Sequence, residues 1–388
     1  METIKSTHTT PIIKLHLENH LNADSLSLVK NVLGNFTVCI RTNDWKEGDL
    51  AAFIQPDSLV DTNLPEFNWL KSDAKYNKNG EPEPSGTWAR VKGKKLRGIM
   101  SYGLFVKPTF PVQEGEDVWE KLQIQRWEPP VTNFGIKSVI NNGEVASPPN
   151  IQCSKYDVDS GLRYAKEVFV EGEPVVMTLK YHGQSWRCVY LNGEIHVGSR
   201  TEWKKEFPTK PSVDETKILE EFGEEKLAEI QIKLDKWKPT QSHWWRAFRK
   251  HPEIEQFIRE NPGVIVYGEL IGVQGQNYLY GLKPGEVEIR VFDLYKDGKF
   301  IDYRTAKELG KDLPWVHTIV DAKPVEQISP NFHAFNFEKL VEYAENMKCP
   351  LGYKIPEGFV VKPIRERWDE KIGRVQVKFI SAAYTEKG

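Results

Sequence analysis

The chain has 388 residues, 28% charged and 39% hydrophobic, which suits two globular domains with a core in each. A net charge of −2 excludes a uniformly basic, histone-like binder, although a local positive groove stays compatible with it. The four cysteines, Cys39, Cys153, Cys188 and Cys349, form no C-x-x-C pair; with no apolar leader and no apolar run of about eighteen residues, the expected compartment is the reducing cytoplasm, away from membranes.

In chain order, residues 11–17 alternate enough for a strand, 22–25 form a turn, and 26–32, 36–41 and 50–54 predict further short strands. Their spacing points to a small β-barrel over 11–110. Residues 71–86, polar and rich in Gly, Pro and Lys, predict a loop. Residues 90–98 are the densest basic stretch; they read as a phosphate-contacting strand and loop, or as an edge strand guarded by lysines. The segment 111–165, with Pro111, Pro129, Pro130, Pro148 and Pro149, reads as a connector.

A second domain is expected over 166–388, with a helical insertion at about 205–240. There Ile218, Phe222, Leu227, Ile230 and Leu234 recur at helical spacing and predict one face packed on the domain. In residues 243–250, Trp244, Trp245 and Phe248 read as core in preference to a base-stacking platform. Residues 337–347 predict an amphipathic helix with Phe337, Leu340, Val341 and Ala344 on one face.

Lys180 follows the apolar run 175–179 and precedes Tyr181-His182-Gly183. An amine so placed can attack a nucleotide α-phosphate, but a free lysine has a pKa near 10.4 and fewer than about one in a thousand is neutral at pH 7. Burial or nearby positive charge must lower that pKa, and a metal, Arg200 and Lys378 are the candidate sources. Gly183 is expected to let the backbone turn tightly beneath the nucleotide. A surface lysine before a hairpin is the alternative.

Glu269 and Glu357 sit beside apolar runs, where carboxylates are costly unless paired or bound to metal. Exposed strand-end salt bridges are the other reading. Phe292 falls on the polar face of 287–292, opposite Val287, Ile289 and Val291, so it could cover a purine or pack under a loop. Lys378 alternates with Val377 and Phe379 and points to phosphate or to water.

In this order the elements resemble the nucleotidyltransferase motifs of the covalent ligase and capping-enzyme superfamily: Lys180-Tyr181-His182-Gly183, Gly198-Ser199-Arg200, Tyr267-Gly268-Glu269-Leu270, Phe292-Asp293, Glu357-Gly358-Phe359 and Gln376-Val377-Lys378. Only ten residues follow Lys378, too few for a C-terminal OB domain. Asn22-Ala23-Asp24-Ser25-Leu26, Glu47-Gly48-Asp49-Leu50, Trp244-Trp245-Arg246-Ala247 and Ser381-Ala382-Ala383-Tyr384 are similar to the Deinococcus-type RNA ligases. That resemblance implies an α+β chain, an N-terminal OB-type β-barrel ahead of an adenylation domain of mainly antiparallel sheets with flanking helices.

It further implies an ATP-dependent RNA ligase using Mg²⁺ or Mn²⁺, joining 3′-OH and 5′-phosphate RNA ends through lysyl-AMP and adenylylated RNA. Nicked duplexes are the expected substrate, and no protein partner is implied. By the same resemblance, Lys180, Glu269, Glu357 and Lys378 are the catalytic residues. Arg200 contacts ribose or phosphate, Phe292 stacks on adenine, and Glu269 reaches the ribose or metal waters. Glu357 and His182 hold the metal's water shell, and Lys378 binds the α-phosphate. Two departures stand out: Leu179 where Glu is frequent, and Gln376 where a second lysine is usual, with Lys362 as the compensating cation. These leave open a non-catalytic RNA-binding protein on a degenerate scaffold; a capping guanylyltransferase is disfavoured by domain order.

Overall fold

The computed structural model describes residues 9–33, 36–78, 80, 83, 85–127, 140–141, 143–154, 156–273, 280–322 and 325–387. In the N-terminal part, short strands alternate as their sequence requires. Phe36–Arg41 buries Phe36, Val38 and Ile40, leaves Arg41 exposed, and pairs antiparallel with Leu26–Val32. Leu50–Ile54 lies between Ile12–Lys14 and Leu104–Val106. Its Ala51–Ile54 portion is buried throughout because a core lies on each side: Ala52 and Ile54 pack with Ile12, Val60 and Phe67, Ala51 and Phe53 with Leu15, Val38 and Ile40.

Several expectations are corrected here. The strand at 11–17 shortens to Ile12–Lys14, beyond which the Leu17 N–H goes to the Glu47 carboxylate (2.7 Å). The loop at 71–86 begins inside a 3₁₀ helix, Pro65–Asp73, and Tyr76 bridges Trp88; residues 79, 81, 82 and 84 lie outside the described residues. The basic stretch forms the end of strand Trp88–Arg90 and a hairpin of Lys94–Leu96 with Ile99–Ser101. Arg90 pairs with Asp57 (2.7 Å) and stacks on Trp127 (3.5 Å), while Lys94 faces Asp73 (3.7 Å) and Lys95 faces Glu386 (3.4 Å).

Residues 111–165 are not a bare connector. Val118, Leu122 and Ile124 complete the first core, and Gln125–Arg126 pairs with Ser58–Leu59. Val145–Ala146 instead pairs with Lys204 and Trp203, and Gly161–Val168 is a helix of the C-terminal core. Residues 128–139, with Pro129 and Pro130, lie outside the described residues.

The C-terminal part has two large sheets. A seven-stranded sheet runs 145–146, 203–204, 194–198, 184–191, 265–271, 288–296, 299–300; a six-stranded sheet runs 159–160, 377–380, 358–363, 174–180, 332–334, 327–329. Pairing is antiparallel except where Asp159–Ser160 runs parallel to Val377–Lys378. Helices His243–Arg249 and Pro252–Glu260 cover the outer face of the first sheet through Trp245, Phe248 and Ile258. Gly161–Val168 and Phe337–Asn346 cover the second, where Phe337, Leu340 and Ala344 bury as expected and Val341 packs partly. The 243–250 aromatics are therefore core.

The period of two then sorts the catalytic-domain strands. Val175, Met177 and Leu179 face the helices, leaving Val176, Thr178 and Lys180 toward the opposing sheet. Register places Lys180 beside Gly358, Val176 beside Lys362, and Val360 beside Lys378. The insertion departs from expectation. Glu215–Asp235 breaks at Gly223 (φ 81°), which lets it fold back, so Ile218, Ile230 and Leu234 bury against Val213 and Leu227 rather than on the domain; Phe222 is left exposed.

Candidate active site

Lys180 ends its strand with its side chain 25% exposed, and its Nζ donates to Glu357 Oε1 at 2.5 Å. Glu357 precedes the neighbouring strand Gly358–Pro363, so strand pairing brings together residues 177 positions apart. The other carboxylate oxygen, Glu357 Oε2, is buried with no hydrogen-bond partner among the described residues. That is expensive for a charged group unless a ligand takes it.

Glu269 enters from the facing sheet. Burial pushes its carboxyl up to about 8, with Lys180 pulling it down and Glu357 pushing it up. Its approach depends on Gly183: a Cβ there would lie 2.5 Å from the Leu270 carbonyl oxygen and 2.7 Å from Glu269 Cγ. Gly183 is thus required for this close packing of the two strands.

In the chain alone the Lys180 pKa is raised from its ordinary value. Burial pushes it down, but the Glu357 and Glu269 carboxylates together outweigh burial and raise it. It is Lys378 whose amine is lowered, first by burial and then by the Lys180 charge. Glu357, in direct contact, thus favours Lys180 as an ammonium. Any ligand that occupies those acids makes the amine a better nucleophile.

His182 donates its backbone N–H to Tyr280 Oη (2.5 Å), and its Nδ1 lies 2.7 Å from Tyr384 Oη. Burial lowers its pKa, so the ring is neutral at pH 7. Among the described residues, no three His, Cys, Asp or Glu side chains form a ready metal cage. Glu269 and Glu357 with the orphaned Oε2 nevertheless fit a hard cation that keeps most of its water.

Phe292 is the extra residue of a β-bulge: Tyr267 pairs with Asp293 and Gly268 with Val291. Phe292 and Asp293 therefore both touch Tyr156, the rings at 4.4 Å between centroids and Tyr156 Oη donating to Asp293 Oδ2 (2.5 Å). Arg200 pairs with Asp157. Lys362, 4% exposed at its side chain, is bound by Asp293, and Gln376, 1% exposed, is hydrogen-bonded to Tyr156 and Asp157. Arg374 completes the group, donating to Asp293 (3.0 Å) and Glu366 (2.7 Å).

Sequence reasoning missed Tyr156, Asp157, Arg374 and Tyr384. The first two lie in the supposed connector. Arg374 had a signal, because positions 374, 376 and 378 share one strand face. Leu179, the other departure, is a core residue 2% exposed and faces away from the site.

The cleft between the two sheets thus gathers a paired lysine, two acids and a bulged aromatic, in the arrangement of a nucleotidyltransferase domain. A family model described as RNA ligase matches residues 173–380, more than half of the chain, and an OB-fold domain model matches residues 12–109. The chain belongs to the RNA ligase family and is an enzyme of that class, an OB-fold domain followed by a nucleotidyltransferase domain. It is similar to solved structures of a Naegleria gruberi RNA ligase. An apo mutant is 22% identical, with 99% of each chain covered and a TM-score of 0.67. A lysine-to-alanine mutant with ATP and Mn is 21% identical, covering 98% of this chain and 99% of that one, TM-score 0.67. A glutamate-to-alanine mutant with AMP and Mn is 22% identical, 99% of each chain covered, TM-score 0.68. No curated protein matches the chain.

Proposed function

We propose that this RNA ligase is ATP-dependent and of the Deinococcus type, sealing 3′-OH and 5′-phosphate RNA ends, with nicked duplexes as substrate and the cytoplasm as its site of action. Among the described residues no helix is long and apolar enough to cross a membrane. The observation that carries the reading is Lys180 Nζ held 2.5 Å from a glutamate whose second oxygen is buried and unpartnered. The ATP and AMP complexes of the similar Naegleria gruberi ligase support the choice of nucleotide.

In this reading Lys180, no longer paired with Glu357, gives up its proton to solvent, and its lone pair attacks the α-phosphorus. The N–P bond forms as the bond to the bridging α–β oxygen breaks, and pyrophosphate leaves with the electron pair. An RNA 5′-phosphate oxygen next displaces Lys180 from AMP, and a 3′-hydroxyl then displaces AMP to close the strand. Phe292 offers a face to the base, Arg200 lies toward the ribose or phosphate, and Lys378 lies toward the α-phosphate. Mg²⁺ or Mn²⁺, held by Glu357, Glu269 and waters near His182, would neutralise charge on the reacting phosphate.

The degenerate-scaffold alternative loses its support, since Leu179 is a core residue and Gln376 has a structural task. Incubation with α-labelled ATP and Mg²⁺ or Mn²⁺ should label the wild-type protein covalently, and Lys180→Ala should reduce labelling by at least about 1,000-fold. Label from GTP in preference to ATP would favour a capping enzyme. No label under either metal would overturn the proposal.

A further inference from the structure

Residues 153–157, with 155 outside the described residues, run along the inner face of the seven-stranded sheet. Arg187 Nη1 donates to Cys153 Sγ (2.8 Å), Tyr267 Oη donates to the Ser154 carbonyl (2.6 Å), and Ser154 Oγ donates to Tyr295 Oη (3.2 Å). The chain then leaves that sheet and joins the other as Asp159–Ser160 beside Val377–Lys378. It is a strap between the two sheets.

Gln376 pins the strap where it crosses. Its Nε2 donates to the Asp157 carbonyl at 2.5 Å, and its Oε1 lies 2.9 Å from Tyr156 Oη, whose single proton is shared with Asp293. The amide orientation is set, because reversing it would place two carbonyl oxygens against each other. The two strap residues it holds touch two different site groups: the Tyr156 ring lies on Phe292, and the Asp157 carboxylate pairs with Arg200.

Local charge explains why a neutral residue stands here. Asp293 and Glu366 are already matched by Lys362 and Arg374, all four groups being largely buried. A lysine at 376 would add an uncompensated buried cation and forfeit the acceptor facing Tyr156.

We infer that Gln376 is a positioning residue of this ligase, pinning the Tyr156–Asp157 strap so that Phe292 and Arg200 are held where the nucleotide base and sugar must sit. This rests on the proposed ATP-dependent reading. Gln376 grips no phosphate; it sets the shape of the nucleotide subsite through the strap.

The test is single-turnover labelling of Lys180 by ATP, with the half-saturating ATP concentration read as KM and the limiting rate as kcat, in Gln376→Leu, Tyr156→Phe, Asp157→Ala and Gln376→Lys. We expect KM for ATP to rise about tenfold in Gln376→Leu and about threefold in Tyr156→Phe and Asp157→Ala, with kcat within about twofold of wild type. Gln376→Lys should be worse than wild type. A fall in kcat at unchanged KM in Gln376→Leu, or a gain of activity in Gln376→Lys, would overturn the inference in favour of a phosphate contact. If Gln376→Leu fails to fold, the exposed Asp157 and the ring-preserving Tyr156→Phe decide: unchanged KM in both defeats the strap. Absence of label in wild type would defeat the ATP reading instead.

Discussion

Two clusters of charge face each other's sheets in one cleft and differ in a single respect. Around Asp293, the partners Lys362, Arg374, Glu366, Tyr156 and Gln376 satisfy one another, and the aspartate is held below the ordinary carboxylate range because Arg374 and Lys362 outweigh its burial. Around Lys180 the accounts stay open: Glu357 Oε2 has no partner and Glu269 is pushed to about 8. The closed cluster is architecture, whereas the open one is poised for a ligand that supplies the missing positive charge. Distance from the nucleophile decides which is which.

Three substitutions can break or sharpen this contrast. Asp293→Ala should be the most damaging to stability, since it leaves Lys362 and Arg374 buried without their shared acid, a cost of about 3–5 kcal/mol. Melting by calorimetry should fall by roughly 10 °C or more, or the protein should become insoluble. A melting point within about 2 °C of wild type, with lost labelling, would make Asp293 part of the reacting end.

Glu357→Gln should do the reverse, lowering the rate of lysine adenylylation about 100-fold while leaving melting within about 2 °C of wild type. An unfolded Glu357→Gln protein would erase the contrast.

Glu269→Gln gives the smallest and most specific effect. In metal-free buffer, a carboxyl with a folded pKa of about 8 and an unfolded one near 4.3 binds its proton only in the folded chain between those values. Stability therefore falls as pH rises through that window. The glutamine variant lacks this loss, so its melting temperature should gain on wild type by roughly a few degrees between pH 5 and pH 9. A difference that stays constant across that range would show that Glu269 is not held protonated.

Much of this was legible along the chain because strands announce themselves by alternation. Leu26–Val32, Phe36–Arg41 and Leu50–Ile54 form where the pattern places them, and Lys180 and Lys378 face the cleft because their neighbours face the helices. The helix Phe337–Asn346 follows from its apolar stripe in the same way. Motif order was sufficient to name the RNA ligase family.

Long-range pairing was not legible, because no local pattern says which side chain will meet a given charge. That Lys362 is spent on Asp293, that Gln376 holds residues 219 and 220 positions away, and that Gly183 makes room for Glu269 depend on how two sheets are set face to face. The same is true of ionisation. Composition placed a lysine and two acids on the chain, but only their convergence in a poorly hydrated cleft raises the amine's pKa and leaves one carboxylate oxygen without a partner. Periodicity is a property of neighbours in sequence, and electrostatics is a property of neighbours in space.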